Sequence, residues 1–230
     1  MGITIATASR QGTGTNNADS AAAFTAADGT LAAAVVDMIG HAPTAPRVGM
    51  LCAETAVRVG SQKGALAGIL AAAALVADPG AGDEPEPDGV AVLAVVEPDE
   101  TRLAWVGDCV ALSWNGKQLL RRSTPQSMGE FLRINDDEGR AIKHDNWVRI
   151  ALSTSTATNV AVTSVPRDEL LLLVSDGVVD QVEHGTLETL VLEHADNPQA
   201  LVDAIVAAAE PDERGRRDDA TAVVIVAFAR

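Results

Sequence analysis

The sequence predicts an α+β fold of two stacked antiparallel sheets with helices on the outside, and three features predict it. Short β-branched runs alternate with turn residues, two alanine-rich stretches carry helical spacing, and helices fall in pairs between groups of strands. With 230 residues, 47% of them hydrophobic, the chain is long enough to bury one sizeable core, so one domain over residues 1–230 is expected.

The elements follow in order. An extended opening leads to the apolar run LAAAVV at residues 31–36 and then to a Gly/Pro-rich turn. In residues 47–60, Val48, Leu51, Cys52 and Val59 recur at helical spacing, and residues 63–77 continue as a second helix able to pair with the first. Residues 78–89, DPGAGDEPEPDG, are packed with Pro, Gly and acids and are expected as an exposed loop. A meander of strands comes next: GVAVLAVVE, TRLAWVG, CVALSWN and KQLLRR, with Asn115-Gly116 as a two-residue hairpin signal. Residues 123–167 are polar and irregular and are expected as a mobile flap. The run DELLLLVSDG is too apolar to have one face in water, so it belongs in the middle of the stack. Helices near residues 186–194 and 198–210 precede a last strand, DDATAVVIVAF, ending at Phe228.

Charge and cysteine content narrow the function. There are 32 acidic and 17 basic residues, a formal charge of −15, which leaves no electrostatic footprint for nucleic acid or an anionic membrane surface. The two cysteines, Cys52 and Cys109, are too few for a disulfide framework and form no CxxC pair, which points to a reducing cytoplasm. The opening MGITIATASRQGTGT lacks the basic stretch and apolar run of a signal peptide, and residues 64–77 fall short of the ~20 apolar residues of a membrane span.

Carboxylates carry the candidate chemistry. Asp37 ends LAAAVV, Asp176 ends ELLLLVS, and Asp218 precedes the last apolar run. Neighbouring antiparallel strands end side by side, so these three are expected to meet at one sheet edge, with Asp108 in a turn at the same rim and Asp19 before the first strong strand. Mg²⁺ and Mn²⁺ prefer oxygen ligands, and like charges gathered in one place need a cation to offset their repulsion. Taken singly, an Asp at a strand end is most often a turn residue bonded to nearby backbone.

Read in order, NNADS, AVVDMIGH, LAWVGDC, ELLLLVSDGVVD and RDDATAVVIV resemble the successive motifs of the metal-dependent PPM (type 2C) protein serine/threonine phosphatases. The resemblance runs over nearly the whole chain and rests above all on the SDG and DDAT segments and on the order of the five motifs. It implies a four-layer α/β/β/α sandwich, two antiparallel sheets flanked by helix pairs, with a two-metal site at one end. Asp37 then matches the carboxylate that bridges the metals, the Met38 carbonyl takes the position of a backbone ligand, and Asp176 and Asp218 match ligands to one metal. Asp19 matches the aspartate of the first motif, and Asp108 one that in some members holds a third metal; both are placed at the periphery. Asp219 is assigned to support. The cofactor implied is Mg²⁺ or Mn²⁺, two ions and a possible third. The implied substrate is a phosphoprotein, attacked by a water activated between the cations, and no residue beyond that water is assigned to catalysis. A monomer is expected.

The sequence also departs from that pattern. Gly14 stands where the family has a phosphate-binding arginine, and Ala18 where it has a glutamate. Arg10 and Arg47 are the nearest basic residues in sequence, and each reads as a surface arginine. Met38 either replaces a glycine, with strain expected in the turn, or follows a one-residue deletion that aligns Met38, Gly40 and His41 with DGMGGH. On the first alignment Ile39 falls where some members carry a histidine. Cys109 replaces a serine and reads as a small buried thiol; Trp105 and Trp114 read as core. The five aspartates favour an active phosphatase, while Gly14 and Ala18 favour the alternative, a catalytically weak or inactive pseudophosphatase acting as a regulatory binding module.

Overall fold

The computed structural model describes residues 2–40, 42–76 and 87–227. The acidic loop expected at 78–89 lies outside these residues except for its last three, and His41 and Phe228 lie outside them too. Among the described residues the chain forms ten strands and seven α-helices. In chain order these are β1 (Ile3–Arg10), β2 (Asp19–Thr25), β3 (Leu31–Met38), α1 (Ala45–Lys63), α2 (Ala65–Ala73), β4 (Gly89–Val96), β5 (Glu100–Val106), β6 (Val110–Trp114) and β7 (Leu119–Arg121). There follow α3 (Met128–Ile134), α4 (Glu138–Ala141), β8 (Ala161–Pro166), β9 (Leu170–Val174), α5 (Asp176–Val179), α6 (His184–His194), α7 (Pro198–Ala208) and β10 (Ala220–Ala227).

The strands build two five-stranded antiparallel sheets, one in the order β1-β10-β9-β6-β7 and the other β2-β3-β4-β5-β8. Strand periodicity sorts the apolar residues into three buried layers. Leu171 and Leu173, with Val223 of the neighbouring strand, face Val92 and Leu103 of the opposite sheet, while Leu172 and Val174 face α6 and α7 through Leu187, Leu201 and Ile205. On β4, Ala91, Leu93 and Val95 turn the other way, toward Cys52, Ala56 and Ile69 of α1 and α2. This double burial is why the runs around Leu172 and Val92 are apolar at every position, and it makes the four-layer α/β/β/α arrangement.

Two expectations are corrected. The run of four strands is not one meander: β5 pairs with β4 and β8, whereas β6 pairs with β9 and β7 in the other sheet. The chain changes sheet at Gly107-Asp108-Cys109, and Gly107 has φ +80° with a Cβ there falling 2.0 Å from Val90 Cγ1, so the crossover requires glycine. Each half is an antiparallel pair of consecutive strands, β4 with β5 and β6 with β7, and the second turns at the expected Asn115-Gly116, with the Asn115 side-chain oxygen accepting the Lys117 and Gln118 N–H groups at 3.0 Å each. Residues 123–167 are not irregular throughout. Ser127 caps α3 by accepting the Glu130 N–H at 3.2 Å, Asp137 caps α4, and β8 is an edge strand on β5.

Candidate functional site

The sheets end at a common rim, and the sequence-predicted aspartates come to it from both. On the second sheet, Asp19 opens β2 directly opposite Asp37 near the end of β3. On the first, β9 ends at Val174, Ser175 follows, and Asp176 starts α5; Asp218 and Asp219 precede β10 on the neighbouring strand. The three core carboxylates therefore meet across two sheets, not along one edge, because β3 belongs to the sheet that does not contain β9 and β10. Asp108 arrives on the crossover between sheets.

Neighbouring backbone fixes these positions. The Ser175 N–H donates to the Thr221 carbonyl at 3.1 Å, and the Thr221 N–H donates to Ser175 Oγ at 3.0 Å. Ser175 Oγ–H in turn donates to Asp19 Oδ2 at 2.7 Å, joining the sheets. A Cβ at residue 177 would lie 2.0 Å from the Asp219 carbonyl oxygen, so only glycine lets α5 lie this close to the start of β10. Gln181 accepts the Asp218 N–H at 2.7 Å and donates to the Glu210 carbonyl at 3.2 Å, an amide orientation chosen by those partners.

Burial and crowding shift the carboxyls toward their protonated forms. Burial pushes Asp19 up to about 7 against the hydrogen bonds from Ser175 and Thr221. Asp37 is raised well above the usual range, by burial first and then by the charges of Asp176 and Asp19. Asp176 rises to about 8 through burial and the charges of Asp108, Asp218 and Asp180. Asp108 rises to about 6 through burial, with Asp180 adding to the effect.

Two adjoining cavities open here. The smaller, about 180 Å³, is lined by Asp37, Met38, Asp108, Asp176 and Asp218 among others. The larger, about 480 Å³, shares Asp108, Asn146 and Asp176 with it and extends past Asp145 and Asp180. Asp19 stands behind the smaller cavity and is not peripheral: it is 7% exposed, pairs in register with Asp37, and its Oδ1 is buried with no hydrogen-bond partner among the described residues.

A divalent cation fits this donor set. The groups are oxygen donors, as Mg²⁺ and Mn²⁺ require; one buried oxygen lacks a partner among the described residues, and the carboxyls repel one another, which a cation would relieve. Among the described residues, no three His, Cys, Asp or Glu side chains are drawn together tightly enough to enclose an ion in this arrangement.

Other expectations resolve plainly. Asp219 is a support: Oδ1 accepts the Gly12 N–H and Oδ2 the Ala18 N–H, each at 2.7 Å. Met38 is an ordinary strand residue paired with Gly89, outside the positive-φ region, so the expected strain is absent; its side chain is 2% exposed. Ile39 is half exposed at the mouth of the smaller cavity. Arg10 pairs with Ala220 at the start of β10, but its guanidinium turns to α7 and donates to the Ala207 and Ala209 carbonyls at 3.0 and 3.2 Å. Cys109 is fully buried and its thiol is raised by burial and the surrounding aspartates. Sequence reasoning missed Ser175, Thr221, Gln181, Asn146 and Asp180. Of these only Asp180, one helical turn after Asp176, had a spacing that places it on the same face.

Comparison with known proteins agrees with this geometry. Residues 130–227 match the family of stage II sporulation protein E (SpoIIE). No curated protein matches the sequence. Among solved structures, the serine/threonine phosphatase of S. agalactiae superposes with TM-score 0.84 at 15% identity, covering 98% of this chain and all of that one. The PPM Ser-Thr phosphatase MsPP of Mycobacterium smegmatis, in complex with cacodylate, gives TM-score 0.75 at 21% identity, with 98% of each chain covered. The catalytic domain of the phosphatase PstP, in complex with two manganese ions, gives TM-score 0.75 at 17% identity, with 97% of each chain covered. The order of aspartate motifs read from the sequence and the four layers of the structure thus lead to one identification: this chain has the fold of the bacterial PPM serine/threonine phosphatases.

Proposed function

We propose that this protein hydrolyses phosphoserine and phosphothreonine in proteins, using Mg²⁺ or Mn²⁺ held at the aspartate rim. The observation that carries the reading is the cluster itself: Asp19, Asp37, Asp108 and Asp176 all have carboxyls raised by burial, and mutual charge adds to the rise, at the rim of a fold shared with phosphatases. An arrangement that costs stability without a counter-ion makes chemical sense as a cation site.

Asp37, Asp176 and Asp218, with the Met38 carbonyl, are the residues that would hold two cations, and Asp108 would hold a third. Once bound, the cations supply an activated water and neutralise the phosphoryl oxygens. The remaining work belongs to the chain. Ser175 and Thr221 fix Asp19 beside Asp37, Asp219 ties the loop from Gly12 to Ala18 against the rim, and Gln181 steadies the backbone at Asp218. The cavity of about 480 Å³ is of a size that accommodates the residue bearing the phosphate and its neighbours.

In this reading residues 1–230 act as one unit, a monomer working in the cytoplasm. Among the described residues no helix is long and apolar enough to cross a membrane. The test is phosphate release from a phosphothreonine peptide with Mn²⁺ and after chelation, for the wild type and Asp176→Asn. Hydrolysis that needs the metal and is lost in the variant supports the proposal; no hydrolysis under any metal condition leaves the regulatory binding module.

A further inference from the structure

The larger cavity carries two guanidiniums, Arg121 and Arg133, in a wall otherwise rich in carboxyls, and they differ in what they already hold. Arg133 donates to Asp145 at 2.7 Å and lies 3.4 Å from Glu138 and 3.6 Å from Glu130, so its charge is neutralised within the wall. Arg122, next in sequence, is bound to Ser113 Oγ and to Glu169, each at 2.7 Å. Arg121, the last residue of β7, makes no hydrogen bond or ion pair among the described residues. Its charge is felt at Asp180, whose carboxyl is raised by burial and by the charge of Asp145, with Arg121 opposing that rise.

Its placement suits a waiting cation. Arg121 also borders a smaller hollow of about 180 Å³ formed by Leu112, Val179, Val182, His184 and Leu187. The aliphatic stem has apolar surface to lie on, while the head reaches the side that carries Asp108, Asp176 and Asp180. A phosphate dianion entering this cavity meets the carboxyls of Asp108, Glu130, Asp145, Asp176 and Asp180 in its wall, and Arg133 is already paired. A planar guanidinium fork matches phosphate oxygens two at a time, and a guanidinium with no ion pair to break turns toward them at little cost.

We propose that Arg121 is a substrate-binding residue that receives the phosphate of the incoming phosphoresidue and directs it toward the aspartate rim. The inference rests on the phosphatase reading above, and the experiment separates the two. Wild type, Arg121→Ala and Arg121→Lys are compared in the Mn²⁺-loaded state for kcat and KM on a phosphothreonine peptide and for inhibition by inorganic phosphate. Loss of a charge-assisted contact predicts that KM and the phosphate inhibition constant both rise about tenfold in Arg121→Ala, with kcat within about threefold. Arg121→Lys recovers part of the loss, and the melting temperature stays unchanged because the side chain is exposed. Unchanged KM and inhibition constant overturn the inference, as does a rise in KM alone, which would mark a contact with the peptide and not with phosphate. If the wild type hydrolyses nothing, calorimetric titration of inorganic phosphate decides. Binding that weakens in Arg121→Ala supports the role even though the hydrolytic reading fails; equal binding, or none, overturns it.

Discussion

Ser175 donates its hydroxyl to Asp19 Oδ2 at 2.7 Å, and this bond ties the end of one sheet to the start of a strand in the other, directly beside the candidate cation site. The same hydroxyl accepts the Thr221 N–H at 3.0 Å, so one fully buried oxygen serves both a carboxyl and a backbone donor. Ser175→Ala leaves both without that partner in a place water does not reach. The expected cost is about 2 kcal/mol, or roughly 4–8 °C in melting temperature. Denaturant unfolding of the metal-free protein measures it, and an unchanged midpoint would show that the bond does not support the rim.

The raised carboxyls set the pH dependence of the metal-free protein. Asp19 at about 7, Asp108 at about 6 and Asp176 at about 8 all lie above the unfolded value of 3.8, so the folded state binds more protons than the unfolded state between these limits. Their contribution is fully present below about pH 4 and is lost as pH rises through 6 to 8. Asp28, Asp137 and Asp212 are shifted the other way, and they act below that window. The melting temperature in a chelator should therefore fall from pH 5 to pH 8, and Mn²⁺ should raise it more at pH 8, where fewer protons compete. A melting temperature that climbs across this window would mean that the carboxyls are not buried together.

Asp218 and Asp219 are adjacent in sequence and divide the labour. Asp219 accepts two backbone N–H groups, whereas Asp218 Oδ1 accepts, among the described residues, the N–H of Asp219 alone, and Asp218 lines the cavity. Asp219→Ala should cost about 3 kcal/mol, with two backbone donors left unpaired. Asp218→Ala should cost under about 1 kcal/mol while abolishing the stabilisation by Mn²⁺. Equal losses of stability in the two variants would contradict the division.

Close approach at Gly177 gives a steric test. A methyl group there meets the Asp219 carbonyl oxygen at 2.0 Å, and backbone on both sides leaves no flexible side chain to yield. Gly177→Ala is expected to cost about 2 kcal/mol and to weaken Mn²⁺ binding, because Asp176 and Asp218 move apart with the backbone. Thermal unfolding with and without Mn²⁺ reads both effects.

What was legible in the sequence follows from how local each signal is. The strand before Asp176 declared itself because both of its faces are buried, and Asn115-Gly116 declared its hairpin through turn chemistry within four residues. The change of sheet at Gly107-Asp108-Cys109 was hidden, since β5 and β6 are equally apolar and pairing partners are set by distant strands. Asp19 read as peripheral because β2 is alanine-rich with weak strand propensity; only its register against β3 brings it opposite Asp37. Helix α3 was readable from the Ser127 to Glu130 spacing, which the polarity of the segment obscured. Ser175 and Thr221 support Asp19 from more than 150 residues away, a contact no local pattern encodes.

The most direct measurement of the central claim is anomalous diffraction at the manganese edge from crystals grown with Mn²⁺. Anomalous peaks are expected in the smaller cavity against Asp37, Asp176 and Asp218, and are expected to vanish in Asp37→Asn. Well-diffracting crystals with that cavity empty of manganese, or with manganese bound only elsewhere, would contradict it.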